Sequence, residues 1–69
     1  MTLAKVMEDL RTEPTVPVWP HYGVIYRCGR NASYDRANEG LAKGDPEFVR
    51  SGRLIRLVTA VTRQRLGIK

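Results

Sequence analysis

Cys28-Gly29-Arg30-Asn31 is the stretch on which the fold turns. Gly29 is expected to supply the left-handed backbone that ends one helix. From Arg30 or Asn31 a second helix runs to about Glu39, with Gly40 as its stop. Ala32, Tyr34, Ala37 and Leu41 can then face the core, leaving Asn31, Ser33, Asp35, Arg36 and Asn38 outward. The segment before the turn, 20–28, reads two ways. Its aromatic and β-branched residues (Tyr22, Val24, Ile25, Tyr26) suit a strand, and Gly23 weakens a helix. The helix is preferred because two short helices joined by a tight glycine turn make a helix-turn-helix.

Downstream, Lys43-Gly44-Asp45-Pro46 reads as a loop and Glu47 to Val58 as a β-hairpin around Ser51-Gly52-Arg53. That ribbon gathers Arg50, Arg53 and Arg56. Thr59 to Leu66 is expected to be a helix, capped by Thr59 and stopped by Gly67. Its Arg63 and Arg65 favour the negative end of the helix dipole. The β-branched run around 58–62 blurs where this helix starts.

Upstream, Leu3, Val6, Met7 and Leu10 recur at the spacing of one helical face. Thr2 is placed to cap this helix, and Pro14 stops it between Arg11 and Glu13. A two-turn helix does not stand alone in water, so it docks on the domain, docks on a neighbour, or frays. Pro14 to Pro20 contains three prolines and reads as an extended linker, with Pro20 suited to a first helical position. Trp19 is expected to plug the core.

Length and composition narrow the function. Sixty-nine residues allow one small domain and no second core. Cys28 is the only cysteine, which excludes an internal disulfide or a Cys-rich zinc site and suits a reducing cytosol. No apolar run is long enough to span a membrane, and the N-terminus lacks the apolar region of a signal peptide. The net charge is +5, with residues 1–26 at −1 and residues 27–69 at +6. Eight of the ten basic residues in that second part are arginine, the side chain that forks onto phosphate and guanine. A small arginine-rich domain points to a nucleic-acid partner, against the alternative of a merely solvated basic surface. His21 and Cys28, seven residues apart with no third partner, are a weak basis for catalysis. Neither a glycine-rich phosphate loop nor metal-ligand spacing occurs. No enzyme, cofactor, metal or small-molecule substrate is expected.

Gly29-Arg30-Asn31-Ala32-Ser33-Tyr34, with Gly40, Arg50-Ser51-Gly52-Arg53 and Leu66-Gly67-Ile68, resembles the excisionase branch of the MerR-like winged helices. Within it the chain is most similar to excisionases of actinobacterial phages, recombination directionality factors that work beside a tyrosine integrase. The resemblance covers roughly residues 18–69. It departs at Cys28, where the family has Leu; at His21 to Tyr26, where it has an Ala-Ala-x-x-L pattern; and at Val58, where it has proline. It implies an α+β, mostly helical fold: a small winged helix-turn-helix over 18–69 with a two-stranded wing. An extra amphipathic helix and Pro-rich linker would occupy 1–17. The implied function is double-stranded DNA binding and bending at attachment sites, head to tail in several copies, directing integrase toward excision in the bacterial cytoplasm. Residues 3–11 and the basic C-terminal helix, opposite in net charge, are candidates for joining neighbouring copies.

Physical chemistry assigns the roles. In the recognition helix, Arg30 can fork onto guanine and Asn31 can pair with adenine, unless Asn31 is the helix cap and Arg30 caps the turn or pairs with Asp35 or Glu39. Ser33 can reach a base or phosphate, and Arg36 a phosphate. In the wing, Arg53 beside Gly52 and Ser51 is placed to enter a minor groove. Arg50 and Arg56 flank it on phosphates, or cover the core with their stems. The rival readings are a small phage transcription regulator of the same fold and a basic adaptor that binds protein or RNA.

Overall fold

Helix α1 spans Leu3–Thr12. The Thr2 side chain accepts from the Lys5 amide at 3.2 Å, which satisfies one of the unpaired donors of the first turn. Glu13, immediately before Pro14, is already extended. Val6 and Leu10, one turn apart, are both fully buried. The computed structural model in which these elements are seen describes residues 1–68; Lys69, the last residue of the expected domain 18–69, lies outside the described residues.

The chain then forms β1 (Thr15–Pro17), α2 (His21–Tyr26), α3 (Arg30–Lys43), β2 (Phe48–Ser51), β3 (Leu54–Val58) and α4 (Thr59–Leu66). The preference for a helix before the turn is met by α2. The strands make one antiparallel sheet in the order β1-β3-β2. Phe48 faces Leu57 and Arg50 faces Ile55 across the hairpin, while Val16 faces Leu57 on the other side of β3. Val6, Leu10, Val16, Val18, Tyr22, Ala37, Phe48 and Leu57 form the buried core. The fold is therefore a small α+β arrangement of four helices and a three-stranded sheet. Among the described residues, no helix is long and apolar enough to cross a membrane.

Several expectations need correction. The segment expected to be a linker supplies a third strand, so the expected β2–β3 hairpin is part of a three-stranded sheet. Pro17 lies at the sheet edge, where its missing N–H costs no ladder bond. Of the three fates open to α1, it docks on the domain: Val6, Leu10 and Val16 share one core with Val18, Tyr22 and Leu57. The apolar stripe of α1 and the C-terminal helix meet within one molecule: Arg63 donates to the Leu10 carbonyl and closes the end of α1.

The left-handed residue that ends α2 is Arg27, at φ 56°. Gly29 is extended and precedes α3. Gly40 does not stop α3; the helix continues to Lys43 and ends at Gly44, at φ 75°. Gly40 instead lies under the Phe48 ring, which would collide with a Cβ at that position. Thr59 does not cap α4 but begins it. Its hydroxyl reaches the Glu13 and Pro14 carbonyls at 2.6 and 2.9 Å and anchors the corner between α1 and β1. Gly67, at φ 73°, ends α4 as expected. Trp19 is half-buried, with its ring against Gly23.

Candidate nucleic-acid interface

The side of α3 that enters the core carries Ser33, Ala37 and Gly40, at the i, i+4, i+7 spacing of one helical face. These are small residues, so the helix approaches the sheet closely and receives the Phe48 ring in place of offering one. Ala32 and Tyr34, expected to face inward, are exposed. Tyr34 is 37% exposed and belongs to a different row: Arg30, Tyr34 and Asn38, each four residues from the next, run along the outside of the helix.

This row leads toward the hairpin. Between α3 and the sheet lies a groove of about 500 Å³ whose lining includes Tyr34, Asn38, Arg50, Arg53, Ile55 and Arg56. Residues two apart on a strand share a face, so Arg50 lies on the same side of the sheet as Phe48, beyond the end of the packed core. Gly52, at φ 61°, is the first residue of the two-residue turn between Ser51 and Leu54, the position where a tight hairpin favours glycine. Arg53, the second, is exposed at the tip. No carboxylate among the described residues lines the groove. Among the described residues, Arg30, Arg50 and Arg53 have no ion-pair partner. Leu54, at the mouth, is 62% exposed.

The sequence-derived site residues divide on this geometry. Arg30 and Asn31 are exposed in the first turn of α3, and Gly29, not Asn31, occupies the cap position. Arg50, Ser51, Gly52 and Arg53 form the hairpin end. Ser33 is a correction: its side chain is fully buried, donates to the Gly29 carbonyl at 2.8 Å and lies 3.3 Å from the Cys28 Sγ. It therefore presents nothing to a ligand. Arg36 is exposed but turned to another cleft, beside Tyr22 and Glu39, and does not join the hairpin arginines. Arg56 is half-committed: its Nε donates to Thr15 Oγ1 at 2.9 Å and its Nη2 to the Thr15 carbonyl at 3.2 Å, tying β1 to β3.

Sequence reasoning gives no site role to the groove residues Tyr34 and Asn38. It puts Tyr34 in the core and Asn38 on the outer face of the helix. The four-residue spacing of Arg30, Tyr34 and Asn38 carries that information, but a lone tyrosine in a polar helix reads as core by hydrophobicity alone.

The second cleft, about 420 Å³, is lined by Tyr22, Tyr26, Arg36, Asp45, Glu47 and Arg65 among others. Its charges are largely matched internally. Arg65 donates to Asp45 at 2.8 Å and to the buried Glu47 at 2.9 Å. The Arg65 guanidinium and the Glu47 amide hold the Asp45 carboxyl below its ordinary range. The contrast separates the two concavities: one is electrostatically closed, the other is cationic and open. No family model, curated protein or solved structure matches the chain.

Proposed function

We propose that this chain is a small winged helix-turn-helix protein that binds double-stranded DNA, with α2–α3 as the helix-turn-helix and the β2–β3 hairpin as the wing. One observation carries the reading. Among the described residues, the groove between α3 and the hairpin collects arginines with no carboxylate in its lining, next to a helix row headed by Arg30, which has no ion-pair partner. A cationic concavity flanked by an exposed helix and a protruding ribbon suits a polyanion with two grooves. Arg53 at the tip matches a minor-groove contact and α3 a major-groove contact.

The resemblance of Gly29 to Tyr34 and Arg50 to Arg53 to the excisionase branch gives the finer proposal. The protein acts in the bacterial cytoplasm as a phage excisionase, binding attachment-site DNA in several copies and bending it so that a tyrosine integrase runs toward excision. A domain this small makes few phosphate contacts, which favours cooperative binding over tight binding by one copy.

The test is a gel-shift titration on duplexes carrying phage attachment-site arms and on scrambled duplexes, with Arg30→Ala and Arg53→Ala beside wild type. A ladder of cooperatively formed complexes on the attachment-site duplex, weakened by both substitutions, is expected. A single complex would replace the excisionase by a transcription regulator of the same fold. Equal, salt-sensitive binding to both duplexes would overturn sequence specificity, and no duplex binding would overturn the proposal entirely.

A further inference from the structure

Asn38 lies one turn beyond Tyr34 on the groove side of α3 and is exposed. Its Nδ2 donates to the Tyr34 carbonyl at 3.0 Å. A backbone carbonyl can only accept, so this bond fixes which end of the amide turns toward the helix. Among the described residues, the amide's carbonyl oxygen and one of its N–H groups have no partner, on a side chain oriented by a bond within its own helix. One acceptor beside one donor is what the major-groove edge of adenine requires, its N6–H donating and its N7 accepting.

The neighbouring groove residues offer no such pattern. Arg50 and Arg53 are donors only, suited to phosphate or guanine. Tyr34, Leu54 and Ile55 present mainly apolar surface. Among the described residues, Asn38 is the one side-chain amide in the groove lining.

We infer that Asn38 is a base-reading residue of this groove and selects an adenine in duplex DNA, an inference that rests on the duplex-binding reading above. The experiment selects bound sequences from a pool of randomised duplexes, once with wild type and once with Asn38→Ala. Affinities of both proteins for the wild-type-selected duplex and for a scrambled one are then measured at a single salt concentration. Asn38 is exposed and bonds only to its own helix, so the alanine variant is expected to fold, and its melting temperature checks this.

The expected result is an adenine at one position of the wild-type selection that Asn38→Ala no longer requires. Affinity for the selected duplex should fall by roughly 5- to 150-fold, the range of one bidentate base contact. Affinity for the scrambled duplex should stay the same. The inference is overturned if both proteins select the same sequence with equal affinity, or if the variant weakens both duplexes alike, as loss of a backbone contact would. If wild type binds no duplex or enriches no sequence, sequence-specific recognition and the role of Asn38 fall together. A wild-type preference untouched by the substitution removes only the latter.

Discussion

The Nε2 of His21 lies 2.8 Å from the Oδ2 of Asp9, joining the first residue of α2 to the middle of α1. The imidazole is almost completely buried, and its Nδ1 has no partner among the described residues. On the other carboxylate oxygen, Lys5 Nζ stands at 3.1 Å. The His21 hydrogen bond first, and then Lys5, hold the Asp9 carboxyl below its ordinary range.

A stability effect of definite sign follows. The folded-state value of Asp9 is lower than the unfolded one, so its stabilisation is complete above the ordinary aspartate value of 3.8. It is lost as pH falls through the folded-state value. Asp9→Asn should therefore melt below wild type at neutral pH, and the gap should close at the acid end of a series of thermal melts. A gap of constant size at every pH would show that the carboxylate charge is not what joins α1 to α2.

Gly40 and Phe48 make a second coupled pair. Alanine is a better helix former than glycine, by about 1 kcal/mol in an exposed interior. At position 40, however, the new Cβ would meet the Phe48 ring. Gly40→Ala should destabilise by about 1–3 kcal/mol, the range for overpacking a core. In a Phe48→Leu background the same change should cost much less, because the ring edge is gone. Urea titrations of the four proteins in this cycle measure the coupling.

These pairs show where the sequence was legible. Apart from the left-handed Arg27 and the stop of α3 at Gly44, features set by local backbone chemistry were readable: the Thr2 cap, the stop before Pro14, the hairpin around Gly52, and the end at Gly67. Features set by partners distant in sequence were not. On the inner face of α3, Ala37 is legible in the sequence, but Ser33 and Gly40 leave no hydrophobic pattern to read, and Tyr34 reads as core in their place. The strand Thr15–Pro17 is defined by β3, some forty residues later, and proline content alone suggested a linker. The same limit governed the site. Arg30 and the hairpin arginines were identifiable as candidates by residue type and turn chemistry, whereas the inward rotation of Ser33 and the outward rotation of Tyr34 depend on which side of α3 accepts the Phe48 ring.

Glu47 is the buried charge of the fold. Its carboxylate accepts from Thr62 Oγ1 at 2.8 Å, Arg65 Nη1 at 2.9 Å and the Tyr26 hydroxyl at 3.0 Å. Glu47→Ala removes the acceptor of the Tyr26 hydroxyl and leaves Thr62 only its longer bond to the Val58 carbonyl at 3.3 Å, and should cost about 2–3 kcal/mol, since bonds to a charged acceptor outweigh neutral ones. The variant has a second readout. Burial, followed by the Glu47 carboxylate, pushes the Tyr26 phenol well above its ordinary value of 10. A phenol raised in the folded state is stabilising below its ordinary value, and that contribution declines as alkaline pH ionises the unfolded chain. Removing the carboxylate should bring the Tyr26 titration, followed by phenolate absorbance, back toward the ordinary value. An unchanged titration would mean that burial alone sets it.

Arg53 and Arg56 are separated by two residues and should behave differently. Arg53 is exposed at the hairpin tip with no ion-pair partner among the described residues. If it meets a phosphate, Arg53→Ala should reduce the slope of log affinity against log salt by about 0.9, with little change in melting temperature. Arg56 spends its Nε and Nη2 on Thr15 and so holds β1 to the sheet. Arg56→Ala should instead lower stability by about 1–2 kcal/mol, the loss of two hydrogen bonds, and leave the salt slope close to that of wild type. Thermal melts and salt titrations of both variants separate the two roles. Equal slope changes would mean that Arg56 gives up Thr15 for DNA, and β1 would then be the part of the sheet that loosens when the groove is filled.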